Sequence, residues 1–259
     1  MKKISIVIPA YNEEKRISGT LKAYSDYFKK LKEEGVLDYE ILVVINNTTD
    51  RTEEIVKNHQ KEDDSIICLN FVQGGKGFAV YEGFKDALIR DNDFIGFVDA
   101  DLATPPRYFY DLIRTLSKFD GAIANRVIEG SKTNYTWKRK VTSRVFNFIV
   151  RVILLVPFTD TQCGAKVFKR DVVKEIIKHD KLSQWGFDVE LLYRLHKQKY
   201  KIVQIPTIWF DRSGSKLDLK TVPLKMFSSI VRLRLIYSPF KFSVKLYDKL
   251  PERMKIHSL

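Results

Sequence analysis

The chain has 259 residues, 45 Lys+Arg against 32 Asp+Glu, a formal charge of +13, and 44% apolar residues. That apolar share excludes a disordered chain, and the length suits one large domain or two small ones. Cys68 and Cys163 are too few for a disulfide scaffold or a four-ligand zinc site, the four His match no zinc spacing, and no signal peptide precedes the first strand-like run; no apolar stretch reaches the ~20 residues of a membrane span.

The front half alternates strands and helices. Residues 3–9 (KISIVIP) form a β-branched run ending in Pro. Residues 13–34 carry apolar side chains at helical spacing: Ile17, Leu21, Tyr24, Phe28 and Leu31. Residues 39–45 (YEILVVI) are a second strand, and Asn-Asn-Thr-Thr-Asp then caps a helix over 51–60. A third strand covers 65–71, a Gly-Gly-Lys-Gly turn at 74–77 opens a helix to about Arg90, and a fourth strand covers 94–98. Asp99-Ala100-Asp101 closes it, and Pro105-Pro106 starts another helix. Continuous apolar strands separated by helices predict a mostly parallel sheet covered on both faces, with ligands beyond the C-terminal strand ends. The loops after Pro9, Asn46 and Asp99 would share that rim.

The back half is less regular. Residues 138–157 are basic, then apolar and aromatic; 165–168 reads as a strand, 188–199 as a helix, 201–206 and 208–210 as short strands, and 222–237 as a second basic, apolar helix. No repeat or linker divides the chain. Charge does: residues 1–100 hold 14 basic and 18 acidic side chains, a net of −4, and the rest hold 31 and 14, a net of +17. A polyanionic surface facing the back half follows, with nucleic acid and an anionic membrane both open. Within 130–170 nine basic residues and one acidic residue interleave with Trp137, Phe146, Phe148 and Ile153–Leu155, which suits a helix lying in an interface or a core helix with snorkelling Arg.

Asp99 and Asp101, one residue apart at a strand end, can hold Mg²⁺ or Mn²⁺ and leave positions open for substrate phosphates; an Asp capping the next helix is the alternative. Lys76 stands in a glycine turn that is no P-loop, since Gly77 takes the Ser/Thr place. It can meet a phosphate or simply be solvated. Asp188 and Glu190 suit acid–base work or the first turn of a helix, and their spacing favours the latter. Arg126, Arg139, Arg144, Arg212 and Lys216 can grip phosphate oxygens.

These residues occur in a familiar order: Ile8–Glu14 (IPAYNEE), Gly75-Lys76-Gly77, Asp99-Ala100-Asp101, Asn125-Arg126, Asp160–Gly164 (DTQCG), Trp185–Glu190 (WGFDVE) and Gly214-Ser215-Lys216. Over residues 3–235 the chain resembles the family 2 inverting glycosyltransferases of GT-A fold, and among them the dolichyl-phosphate glucosyltransferases and dolichyl-phosphate mannose synthases. The resemblance implies a GT-A catalytic domain over 1–215 and a basic amphipathic extension over 216–259, forming one structural unit. It implies that Pro9, Ala10, Tyr11, Glu13, Asn46 and Lys76 serve the nucleotide and that Asp99 and Asp101 bind Mg²⁺ or Mn²⁺ and the donor diphosphate. Arg212 and Lys216 would clamp that diphosphate, and Arg126, Arg139 and Ser143 would hold the acceptor phosphate, with Asp188 near the acceptor.

Two departures matter. Asn46-Asn47 stand where the family carries Asp-Asp, and an Asn carbonyl accepting from a uracil N–H favours a uridine donor. Ala103 stands where the mannose branch often has a polar metal ligand, which favours the glucose branch. The expectation is transfer of a hexose, UDP-glucose favoured, to dolichyl or polyprenyl phosphate with inversion, by an enzyme peripheral on the cytoplasmic membrane face. GDP-mannose or UDP-N-acetylglucosamine as donor, a glycan hydroxyl as acceptor with Asp188 as base, and a nucleic-acid-binding protein are the alternatives.

Overall fold

Residues 1–178, 186–210, 222–239 and 242 are described by a computed structural model. The first strand, β1 (Lys3–Ala10), pairs in parallel with β2 (Asp38–Asn46), which pairs in parallel with β3 (Ile66–Phe71). On the other side of β1 lies β4 (Phe94–Val98), also parallel. The connecting helices are α1 (Ile17–Glu33), α2 (Thr52–Glu62) and α3 (Lys76–Ile89), with α4 (Pro106–Arg114) after β4.

Alternate residues of the central strands supply two cores. Ile4, Ile6 and Ile8 of β1 with Ile41, Val43 and Ile45 of β2 face Ile17, Leu21, Tyr24 and Phe28 of α1 and Phe109 of α4. Val7, Leu42 and Val44 face Ala79, Val80 and Phe84 of α3 on the opposite side. Both faces are covered, which is why these strands read as unbroken apolar runs rather than alternating ones.

Three elements lie beyond the sequence expectations. They are β5 (Gly121–Asn125), β6 (Lys132–Thr133) and α6 (Arg170–Lys178), whose Val172, Val173 and Ile176 are buried. The sheet order is β3-β2-β1-β4-β7-β5-β8, where β7 is Ala165–Lys169 and β8 is Ile202–Pro206. β7 runs antiparallel to both β4 and β5, while β5 and β8 are parallel. The expected mostly parallel sheet is present, with one reversed strand in its middle. Ile208–Trp209 (β9) leaves this sheet and pairs with β6.

The basic helices are α5 (Trp137–Leu154) and α8 (Val222–Ile236). Each buries one face: Val150 and Leu154 of α5 and Ile230 and Leu233 of α8 join Leu192 and Tyr193 of α7 (Phe187–Lys197) in a third core. The boundary expected at 215/216 lies outside the described residues.

α3 packs close to the sheet because Gly83 has no side chain: a Cβ there would stand 2.4 Å from Val7 Cγ1 and 3.0 Å from Val44 Cγ2. Gly83→Ala, which would stabilise an isolated helix, is therefore expected to destabilise this protein by about 1–3 kcal/mol in urea unfolding, because β-branched Val7 cannot swing away.

Candidate active site

The parallel register places the C-terminal ends of β1, β2 and β4 together, Ala10 opposite Ile45 and Val7 opposite Phe97. The loops that leave this rim are tied by side chains. Asn12 Oδ1 accepts from the Thr49 N–H at 2.9 Å, Thr52 Oγ1 from the Glu13 N–H at 2.8 Å, and Asp50 from the Glu14 N–H at 3.1 Å. Tyr11 and Asn47 are exposed and Pro9 is half-buried, whereas Ala10, expected to serve the nucleotide, is fully buried and out of a ligand's reach.

Asn46 needs a correction. It is buried, and with its amide oriented to satisfy both ends it donates to the Ala10 carbonyl and accepts from the Gly75 N–H, each at 2.9 Å. It is a brace between β1 and the start of α3, and its carbonyl is not open to a nucleobase.

The reversed strand brings the two halves of the chain together. Val98 at the end of β4 pairs with Ala165 at the start of β7, so Gly164 lies beside Asp99. A Cβ on Gly164 would stand 1.8 Å from Asp99 Oδ2; only the absence of a side chain leaves room for the carboxylate. Lys76, at the first position of α3, reaches Asp99 Oδ1 at 2.5 Å and stands 4.0 Å from Asp188 Oδ2. Asp188 Oδ1 accepts at 2.6 Å from Lys166 Nζ, which is fully buried and also donates to the Cys163 carbonyl at 2.6 Å. Burial works against the Lys76 ammonium, but Asp99 and Asp188 outweigh it and hold its pKa above the usual lysine value.

Four side chains thus alternate in charge: Asp99, Lys76, Asp188, Lys166. Glu13 is forked onto Arg16 at 2.6 and 2.7 Å. Asp101 accepts only from the Ala103 backbone, at 3.0 Å, and forms no ion pair among the described residues. Burial and the neighbouring Asp99 charge raise its pKa. The Asp99 and Asp101 carboxylates offer oxygen donors that could hold a hard cation. Asp188 is bound to a buried lysine rather than serving only as first-turn charge, whereas Glu190 pairs within its helix with Arg194 at 2.5 Å.

The second half of the site follows β5. Arg126 was expected to grip phosphate, but its Nε and Nη2 fork onto Asp160 at 2.7 and 2.8 Å, and its backbone N–H donates to the same carboxylate. The reason is burial: Asp160 is wholly enclosed and needs a charge partner. Burial alone would raise the Asp160 pKa; Arg126 overrides it and holds the carboxyl below its usual value. The guanidinia of Arg126 and Arg139 lie over the rings of Tyr135 and Trp209, whose centroids are 4.8 Å apart. Beside them opens a cavity of about 310 Å³ lined by Arg126, Lys132, Tyr135, Lys140, Ser143 and Arg144 among others. Arg126 and Ser143 thus line one cavity together with Lys132 and Lys140, and Arg139 is stacked on Tyr135. Arg212 and Lys216 lie outside the described residues.

The sequence reading gave Lys166, Gly164 and Asp160 no role. A lysine between alanine and valine in a strand covered on both faces was the available signal. Cys163 is buried, and burial pushes its thiol up to about 11.

The mostly parallel sheet flanked by helices, with a carboxylate pair in the loop after β4, is a fold of the GT-A class. Residues 5–177 match the family described as Glycosyl transferase family 2, so the chain belongs to that family and is a glycosyltransferase. It is similar to the dolichyl-phosphate β-glucosyltransferases of Dictyostelium discoideum (30% identity over 249 residues, 90% of this chain and 74% of that protein) and Saccharomyces cerevisiae (30% over 255 residues, 90% and 75%). Its fold is similar to that of glucosyl-3-phosphoglycerate synthase from Mycobacterium tuberculosis, solved with Mn²⁺, UDP-glucose and phosphoglyceric acid, with a TM-score of 0.64, 18% identity, and coverage of 90% of this chain and 79% of that one.

Gly164→Ala is expected to displace the Asp99 carboxylate and lower sugar transfer about 100-fold, the scale of a 1 Å misplacement, with an unchanged circular dichroism spectrum. Asp160→Asn strands the Arg126 charge and is expected to cost about 3–5 kcal/mol in urea unfolding at pH 7. Because the folded Asp160 pKa lies below the unfolded ~3.9, the wild type keeps this increment at neutral pH and loses it as pH falls through the depressed value, so the gap between the two proteins narrows below about pH 4.

Proposed function

We propose that the enzyme transfers glucose from UDP-glucose to dolichyl or another polyprenyl phosphate with inversion, working from a membrane surface. The observation that carries this reading is the double character of α5. Trp137, Val141, Val145, Phe148 and Val152 of the helix, with Leu155 just after it, form an exposed apolar row at three- and four-residue spacing, while Lys140, Ser143 and Arg144 of the same helix line the cavity. An exposed row of that length marks an interaction surface, and flanking Arg and Lys suit a phospholipid interface. A phosphate held in the cavity would have its hydrocarbon tail leave along that row. No helix among the described residues is long and apolar enough to cross a membrane, so attachment would be peripheral. Nucleic acid, which the back-half charge alone left open, gives no account of the apolar row.

The names of the relatives support glucose and a dolichyl phosphate acceptor. Uridine rests on the resemblance, since Asn46 is engaged elsewhere; Tyr11 and Asn47 are among the exposed side chains at the rim. Asp99 and Asp101 fit Mg²⁺ or Mn²⁺, offering oxygen donors and a carboxylate without a counter-charge, and the bound ion would neutralise charge on the departing diphosphate.

The chain's own groups then have distinct tasks. A phosphate monoester has its second pKa near ~6, so the acceptor arrives as an anion and needs no base. Lys132, Lys140, Ser143 and Arg144 would hold it in line with the sugar carbon. Attack opposite the leaving diphosphate inverts that centre. Asp188, bonded to Lys166, is occupied as a charge partner, which argues against a hydroxyl acceptor that needs Asp188 as base.

The test is product analysis with UDP-glucose, GDP-mannose and UDP-N-acetylglucosamine, Mn²⁺ and a polyprenyl phosphate, together with vesicle flotation. Lipid-linked glucose is the expected product. Trp137→Ser/Phe148→Ser is expected to reduce flotation with anionic vesicles at least tenfold and to raise KM for a long-chain acceptor while leaving a short soluble analogue unaffected. Flotation equal to the parent, or no glucose on the lipid, overturns the reading.

A further inference from the structure

Lys76 is bonded to a carboxylate that the proposed metal site also needs. Its ammonium sits 2.5 Å from Asp99 Oδ1 and 4.0 Å from Asp188 Oδ2, so a shift of little more than an ångström exchanges one carboxylate for the other. The second carboxylate is held in place: Lys166, wholly buried, donates to its other oxygen and to the Cys163 carbonyl at 2.6 Å each. The space between is walled by aromatic rings. Lys76 Nζ lies 5.8 Å from the Phe97 centroid and 5.7 Å from that of Phe187, and Lys166 Nζ lies 5.1 Å from that of Phe97. About a third of the Lys76 side chain is exposed, so its ammonium can meet water but still gains from a carboxylate beside it, and one stands at either end of its travel.

We propose that Asp188, fixed by Lys166, is the second seat of Lys76: when a divalent cation engages Asp99 and Asp101, Lys76 passes from Asp99 to Asp188. This rests on the reading that those two aspartates hold the cation. A cation engaging Asp99 competes with the ammonium on Oδ1 for the same carboxylate, and the cost of that competition falls if the ammonium finds a fixed carboxylate within reach. Lys166 and Asp188 are then positioning residues that act on the metal site through Lys76. The arrangement also gives the sequence a reason for a charged strand residue that neither packs as an apolar side chain nor faces solvent.

The experiment measures Mn²⁺ affinity of the full chain, with UDP present, from the free Mn²⁺ electron paramagnetic resonance signal. Asp188→Asn is expected to weaken Mn²⁺ binding roughly tenfold, the size of a direct charge coupling. Lys76→Met is expected to tighten it, by removing the competitor. In the Lys76→Met background Asp188→Asn is expected to change affinity by no more than about threefold, the residue of long-range charge. Since Asp188→Asn strands the buried Lys166 ammonium and could compromise folding, Lys166→Met/Asp188→Asn removes both charges together and is expected to show the same dependence on Lys76. Equal losses in both backgrounds, or no loss in either, overturn the proposal. Asp101→Ala binding Mn²⁺ as tightly as the parent would instead remove the cation reading itself, and the proposal with it.

Discussion

The site depends on one antiparallel pairing. β7 enters the sheet against β4 with Val98 opposite Ala165, so the loop leaving β4 and the loop entering β7 meet at the same rim. A parallel strand in that position would have put its incoming loop at the far end of the sheet. Asp99 can occupy the rim only because Gly164, its neighbour across the pair, has no side chain. One register thus unites the front-half carboxylates with a motif more than 60 residues away.

From that pairing follows a chain of charges of alternating sign. Asp99, Lys76, Asp188 and Lys166 come from four separate elements, and each is within bonding reach or a short step of the next. Such a chain is stable in a partly buried setting because each of its charges has a counter-charge beside it, while the neighbouring Asp101 has none among the described residues. Asp101, with no ion pair among the described residues, is what suits the rim to the cation proposed for it. On the other side of the site the same logic is applied differently: Arg126 is consumed by buried Asp160, and the cations facing the cavity are the less buried Lys132, Lys140 and Arg144.

α5 links this electrostatics to the surroundings. Its inner face joins α7 and α8 in a core, one flank lines the cavity, and its outer row of Trp137, Val141, Val145, Phe148 and Val152 is exposed. A helix with three such faces can hold a charged headgroup and an apolar tail at once, which neither a fully buried helix nor a uniformly basic one could do.

Much of this was legible beforehand, for physical reasons that can be named. Doubly covered parallel strands must be apolar throughout, so β1, β2 and β4 showed themselves, helical spacing revealed α1, and basic residues interleaved with apolar ones marked the segment of α5. β5 (GAIAN) was not legible, because small residues carry little strand signal and its place depends on Phe168 and Ile202 lying close against Gly121. Local chemistry exposed the Asp99–Asp101 pair and the basic character of residues 130–170. It could not expose that Asn46 is a brace, that Arg126 is already paired, or that Lys166 holds Asp188, since each of those facts is a contact between distant segments. By itself the sequence determined which segments had to be buried and which charges existed, because burial and charge are properties of residues. Which charge meets which was decided by the tertiary structure alone, through the direction of β7 in the sheet.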